Sequence, residues 1–239
     1  MKTIGLIGGM SWESTLHYYR LINQGVKRRL GGLHSARILL ASVDFAPIAA
    51  LQAAGDWDQA GAILAGEAAA LERAGADFLV LCTNTMHRVA AAIGAGTSLP
   101  LVHIAEPTAA AIAARGIRRV GLLGTRFTME EPFYRERLRA RHGLDVRVPG
   151  DADRALVHRV IYDELCQGVI APASRDQYRR VAGELVAAGA EGVIFGCTEI
   201  GSLLDAYDVA VPTFDTTALH AAAAVDLALA DLPASIDSL

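Results

Sequence analysis

The chain has 239 residues, 52% hydrophobic and 20% charged, with a formal net charge of −4. That length accommodates one large α/β domain or two small ones with a sizeable core. The acidic balance and 6% aromatic content argue against a nucleic-acid surface, a base-stacking platform or attraction to an anionic membrane.

In chain order, Lys2 to Gly8 reads as a buried strand turned by Gly8-Gly9. The apolar start is too short for a signal peptide, because Trp12-Glu13 follow without a cleavage site. Glu13 to Leu30 is a predicted helix, capped by Ser11 or Ser14 and stopped by Gly31-Gly32. Ala36–Val43 is the next strand, Asp44–Asp56 a long connection, and Trp57–Arg73 a helix. Asp77–Cys82 is a strand, with a helix beginning over Thr85–Ile93; Leu99–Ile104 and Pro107–Ala114 are a further strand and helix. The pattern then restarts. Arg119–Thr125 is a strand, Glu130–Arg141 a charged helix, Leu144–Val148 a strand, and Asp151–Gln167 and Ala173–Ala188 helices. Gly192–Gly196, Val209–Phe214 and Thr217–Leu229 give two more strands and a last helix. Alternating strands and helices predict parallel sheets. No apolar run reaches membrane-spanning length without a break.

The second half echoes the first. Ala188–Thr198 aligns without gaps on Ala74–Asn84, so Cys197 falls opposite Thr83 at an offset of 114. Gly121 echoes Gly5 at 116, and Pro212 echoes Pro100 at 112. Three echoes in order predict two similar parallel-sheet α/β domains related by internal duplication. The expected boundaries are 1–105 plus 208–239 for the first and 106–207 for the second, with the active site in the cleft between them.

The three cysteines, Cys82, Cys166 and Cys197, cannot all pair and lack metal-type spacing. Reduced thiols in a cytoplasmic protein are expected. A lone cysteine is usually packing. Cys197, however, follows a strand and precedes Thr198 and Glu199 at an expected helix start, where a lowered thiol pKa is predicted. Cys166 reads as core of an amphipathic helix. Thr83, Asn84 and Thr85 form a polar run at a strand end that suits a carboxylate or a helix cap. His87 reads as a supporting or packing residue. Met10 is placed either with its backbone on the cleft or as packing. Thr128 is placed either on a substrate carboxylate or as the cap of the Glu130 helix. The glycine spacing near the start is not a dinucleotide fingerprint, and nothing calls for a metal. Two facing groups related by duplication suit inversion of a stereocentre, one removing a proton and the other returning it to the opposite face.

Ile4-Gly5-Leu6-Ile7-Gly8-Gly9-Met10-Ser11-Trp12-Glu13-Ser14-Thr15, Cys82-Thr83-Asn84-Thr85-Met86-His87 and Gly196-Cys197-Thr198-Glu199-Ile200 resemble the aspartate/glutamate racemase family, and most closely its branch called YgeA. The resemblance spans the whole chain. It implies a cofactor-independent isomerase acting on an amino acid without pyridoxal phosphate, commonly a homodimer. It also implies a cysteine in each half. Cys197 matches the second; at the first the catalytic position is Thr83, and Cys82 lies one residue early. A threonine hydroxyl is a far weaker base than a thiol, so unequal rates from the two enantiomers are expected, with the L-form preferred by the resemblance. Gln52 falls where the family holds part of the substrate, and Thr198 and Glu199 fall where its amino and carboxylate groups bind. An arginine of some aspartate racemases has no counterpart in Val43–Pro47, so neutral substrates such as homoserine or methionine are also expected. Two rival readings are a single-thiol enzyme resembling arylmalonate decarboxylase and a ligand-binding protein that kept the fold.

Overall fold

Strands form where the sequence runs apolar without alternation, as expected for sheets covered on both faces. The computed structural model describes residues 1–232. In chain order the elements are β1 (Ile4–Gly8), α1 (Trp12–Leu30), β2 (Ile38–Ser42), α2 (Phe45–Ala54), α3 (Trp57–Arg73) and β3 (Phe78–Leu81). A 3₁₀ turn (Thr85–Val89), α4 (Ala90–Ala95), β4 (Leu101–Val102) and α5 (Ala105–Ala113) follow. Then come β5 (Arg119–Gly124), α6 (Arg126–Glu130), α7 (Pro132–His142), β6 (Asp145–Arg147) and α8 (Asp151–Asp163). A second 3₁₀ turn (Leu165–Gln167), α9 (Pro172–Ala187), β7 (Gly192–Gly196), α10 (Ile200–Leu203), β8 (Thr213–Asp215) and α11 (Thr216–Leu229) complete the described chain.

Two four-stranded parallel sheets result, ordered β2-β1-β3-β4 and β6-β5-β7-β8. The order is the same in both, and so is the register. Gly5 pairs with Leu79 in the first sheet, and Gly121 with Val193 in the second. These are the positions the sequence echo equates, as duplication requires.

The chain divides into two compact units. One holds Met1–Cys82, Val89–His103 and the chain from His220; the other holds Thr83–Arg88 and Ile104–Leu219. The sequence-predicted segment 208–239 runs into 233–239, which lie outside the described residues.

In the first unit α1 is fixed at both ends. The Ser11 side chain accepts from the Ser14 amide, and the Gly31 amide (φ 72°) donates to the Lys27 carbonyl. Its inner face carries Tyr18, Ile22 and Val26, which pack with Ala221, Ala224 and Val225 of α11. Gly25 permits the approach, since a Cβ there would lie 2.8 Å from Val225 Cγ2. The core of the second unit joins Leu122, Leu123, Val157, Tyr178, Ile194 and Phe195.

Several elements differ from the sequence reading. The Asp44–Asp56 connection contains α2, whose start is capped by the Asp44 carboxylate accepting from the Ala46 amide at 3.2 Å. Pro47 sits in the first turn, where its missing N–H costs nothing. The helix predicted over Glu130–Arg141 runs over Pro132–His142, because Glu131 before the proline is extended (φ −84°, ψ 152°), and a separate short helix, α6, ends at Glu130. The predicted Asp151–Gln167 helix ends at Asp163, and Cys166 lies in the following 3₁₀ turn. The last strand is shorter than Val209–Phe214 and shifted to Thr213–Asp215. Among the described residues no helix is long and apolar enough to cross a membrane.

Candidate active site

Carboxyl ends of parallel strands gather polar side chains because the following loop must satisfy the last amides of the sheet and the first of the next helix. In the second unit Thr83, Asn84 and Thr85 follow β3, Thr125 and Thr128 follow β5, and Cys197, Thr198 and Glu199 follow β7. All eight are buried.

The polar run after β3 is held by His87. Its Nδ1 lies 2.7 Å from the Thr83 carbonyl oxygen, and its Nε2 lies 3.1 Å from the Ile104 amide. A carbonyl only accepts and an amide only donates, so the ring is neutral with its proton on Nδ1. His87 therefore positions Thr83 and Asn84. Cys82 is fully buried in the first unit's core, and burial pushes its thiol well above the ordinary range.

Asn84 bridges to the Cys197 strand. Its Nδ2 donates to the Thr216 hydroxyl at 3.0 Å, which donates to the Phe195 carbonyl at 2.8 Å. Asn84 is 3% exposed, and its Oδ1 is buried with no hydrogen-bond partner. A buried acceptor left unpaired is costly unless a ligand donor serves it.

Three hydroxyls form a second cluster. Thr85 Oγ1 lies 2.8 Å from Thr125 Oγ1 and 3.5 Å from Thr128 Oγ1, and the latter two are 3.2 Å apart. Thr125 also caps α6 by accepting from the Thr128 amide at 3.3 Å. Two hydroxyl protons satisfy the two shorter contacts, leaving the third to donate to an anion. Gly124 and Gly196 make the space: added Cβ atoms would lie 3.2 Å from Thr128 Cβ and 3.4 Å from Thr128 Cγ2 respectively.

The Cys197 Sγ is 3.0 Å from Glu199 Oε2, which also accepts from the Thr198 hydroxyl at 2.5 Å. Burial and the adjacent Glu199 charge push the thiol well above its ordinary pKa. This corrects the expectation of a lowered value. The helix that follows, α10, has four residues, and so little helix offers a weak dipole against full desolvation.

Met10 and Gln52 belong to the first unit. Met10 is buried after the Gly8-Gly9 turn. Gly9 has φ 92°, and an added Cβ would lie 2.1 Å from the Val43 carbonyl oxygen. Its amide donates to the Thr15 hydroxyl at 2.8 Å. Gln52 is buried in the last turn of α2, its carbonyl accepting from the Gly55 amide at 3.2 Å.

Thr125 and Thr216 were not singled out in the sequence, and Cys166, read there as helix core, lies within 3.8 Å of Glu199 Oε1. Thr125 stands at the end of the echoing strand, a usable signal; the contacts of Thr216 and Cys166 carry none. Among the described residues no group of three or more His, Cys, Asp or Glu side chains has the arrangement of a metal site.

A sequence model of the family described as Asp/Glu/Hydantoin racemase matches residues 7–224. The fold is similar to that of a candidate Asp/Glu racemase from Yersinia pestis, with TM-score 0.89 and 59% identity over 96% of this chain and 100% of the other. An aspartate racemase homologue from Pyrococcus horikoshii OT3 gives TM-score 0.82 and 34% identity over 95% of this chain and 99% of the other. The broad specificity amino-acid racemase RacX of Bacillus subtilis is 25% identical over 182 residues, 73% of this chain and 75% of that protein.

Proposed function

The chain belongs to the Asp/Glu/hydantoin racemase family, and on that premise we propose that it is an amino-acid racemase that works without pyridoxal phosphate. The observation that carries this reading is the Cys197 thiol at the carboxyl end of β7, 3.0 Å from the Glu199 carboxylate. Cys197 removes or returns the α-proton on one face of the substrate. The Thr83 side serves the other face, its hydroxyl relaying a proton or orienting water. A hydroxyl is a much weaker acid–base group than a thiol near neutral pH, so kcat differs between the two enantiomers at saturating substrate.

The other groups are assigned by what they lack. The unpartnered Asn84 Oδ1 suits the α-ammonium. The spare hydroxyl proton of Thr85, Thr125 and Thr128 suits a carboxylate. Aspartate and glutamate are the first substrates to test, since the similar proteins include an Asp/Glu racemase candidate and an aspartate racemase homologue, followed by homoserine and methionine. We place the enzyme in the cytoplasm, consistent with cysteines that form no disulfide among the described residues.

The test is chiral chromatography of the products from each L- and D-amino acid, with wild type and Cys197→Ala. Wild type forms the opposite enantiomer of at least one substrate, and the variant forms none. Equal kcat in both directions overturns the assignment of Thr83 to one face. Turnover retained by Cys197→Ala overturns the assignment of Cys197.

A further inference from the structure

Glu199 was expected to meet the substrate's amino group, but its carboxylate is already turned to sulfur. Oε2 accepts from the Cys197 thiol at 3.0 Å and the Thr198 hydroxyl at 2.5 Å, and Oε1 accepts from the Cys166 thiol at 3.8 Å. The donors come from the β7 loop and from the 3₁₀ turn at Leu165–Gln167. The residue itself is 7% exposed. Tyr162 of α8 and Tyr178 of α9 lie within electrostatic range of the same group, with the Tyr178 hydroxyl donating to the Val157 carbonyl at 2.8 Å. Burial chiefly, with the neighbouring Cys166, Cys197 and Glu199 charges, pushes both phenols up, while Arg126 opposes this at Tyr162.

A thiol cannot remove an α-proton; a thiolate can. Burial and the Glu199 charge hold the Cys197 proton on sulfur, so its direct loss to water is disfavoured. A carboxylate within hydrogen-bond distance offers another destination. We propose that Glu199 is a positioning residue that takes the Cys197 proton, with Cys166 and Thr198 holding its carboxylate for the transfer. The S–H bond of Cys197 breaks, an O–H bond forms on Glu199 Oε2, and the electron pair left on sulfur takes the substrate α-proton. The negative charge passes from carboxylate to thiolate and then to the substrate carbon. The Thr83 side delivers a proton from water to that carbon on the opposite face, completing the inversion, and Glu199 releases the proton it took to solvent. With the α-proton on sulfur, the Cys197 thiol and the Glu199 carboxylate are both restored. This inference rests on the reading of Cys197 as an acid–base group. It replaces an ammonium contact for Glu199, leaving that role to Asn84.

The experiment compares full-length wild type, Glu199→Gln, Glu199→Asp and Cys166→Ala. Kinetics are measured with L- and D-aspartate and with L- and D-glutamate. The pH dependence of Cys197 alkylation by iodoacetamide is read by peptide mass spectrometry. Glu199→Gln lowers kcat about a hundredfold or more, typical of losing acid–base help, and changes KM by no more than about threefold. Glu199→Asp keeps part of the lost kcat. The alkylation midpoint of Cys197 falls in Glu199→Gln, since a neutral amide no longer opposes the thiolate. Cys166→Ala lowers kcat by less than about tenfold, the size of one long hydrogen bond to a carboxylate. A raised KM with unchanged kcat in Glu199→Gln overturns the proposal in favour of ammonium binding, and an unmoved alkylation midpoint overturns the coupling itself. An unchanged kcat in Cys166→Ala removes Cys166 from the proposal. If wild type turns over none of these amino acids, the racemase reading fails with them, while the alkylation comparison still decides whether Glu199 governs the Cys197 proton.

Discussion

Acidification perturbs the first unit through one buried ring. His220 is fully buried on α11, with its Nε2 2.8 Å from the Val102 carbonyl oxygen and its Nδ1 2.8 Å from the Tyr18 hydroxyl. The carbonyl only accepts, so Nε2 carries the proton and Nδ1 accepts from Tyr18. Protonating Nδ1 would charge a desolvated ring and cost it that acceptor. Burial accordingly lowers its pKa from 6.5 to about 4, partly opposed by the Val102 hydrogen bond. The unfolded chain binds this proton at higher pH than the folded chain does. Stability is therefore unaffected above about pH 6.5 and falls as pH drops from there to about 4. A gap of about 2.5 in pKa, at about 1.4 kcal/mol per unit, gives a loss of about 3 kcal/mol.

The assay is urea unfolding of wild type and His220→Gln between pH 7.5 and pH 4, with NMR titration of the His220 ring. At pH 7.5 the variant is less stable by about 1–3 kcal/mol, since the Tyr18 hydroxyl or Val102 carbonyl loses its partner. On acidification the difference shrinks by about 3 kcal/mol, because the variant has no ring to protonate. A ring that titrates near 6.5, or two stability profiles that stay parallel, refutes the reasoning.

Three further outcomes are expected. Cys197→Ser abolishes α-proton exchange while leaving the far-ultraviolet circular dichroism unchanged, since a hydroxyl is a much weaker base than a thiol; exchange at the wild-type rate in this variant contradicts the assignment of Cys197. Asn84→Leu removes the acceptor whose Oδ1 stands unpaired and raises KM for an amino acid about tenfold or more, the size of a hydrogen bond to a charged group; an unchanged KM removes Asn84 from ammonium binding. Gly196→Ala would put a Cβ 2.6 Å from Leu122 Cδ1 and 3.0 Å from the Leu123 carbonyl oxygen. It costs about 1–3 kcal/mol as overpacking, read by urea midpoint, and an unchanged midpoint contradicts it.

The sheets were legible because their strands are apolar runs and their two halves repeat. β7 has its predicted bounds, and so does α3, which lies between the Asp56 cap and Gly75. Two prolines mark helix starts that the sequence reading did not use. Pro47 lies in the first turn of α2, inside the stretch read as a connection, and Pro132 opens α7 two residues after the predicted Glu130 start. The Cys197 environment was misjudged because position after a strand predicts a helix start, and only the fold shows how short that helix is and how completely the sulfur is buried. The approach of Cys166 to Glu199 spans 33 residues, and that of Thr85 to Thr125 spans 40. No local pattern encodes such contacts; they arise only when folding brings distant turns and loops together.

The most direct test of the account is proton NMR in D2O of the α-hydrogen of L- and D-aspartate and L- and D-glutamate with wild-type protein. The account predicts loss of the α-proton signal from at least one of these, accumulation of the opposite enantiomer with deuterium at the α-carbon, and unequal initial rates from saturating concentrations of the two enantiomers. Retention of every α-proton, extended to homoserine and methionine, would contradict it.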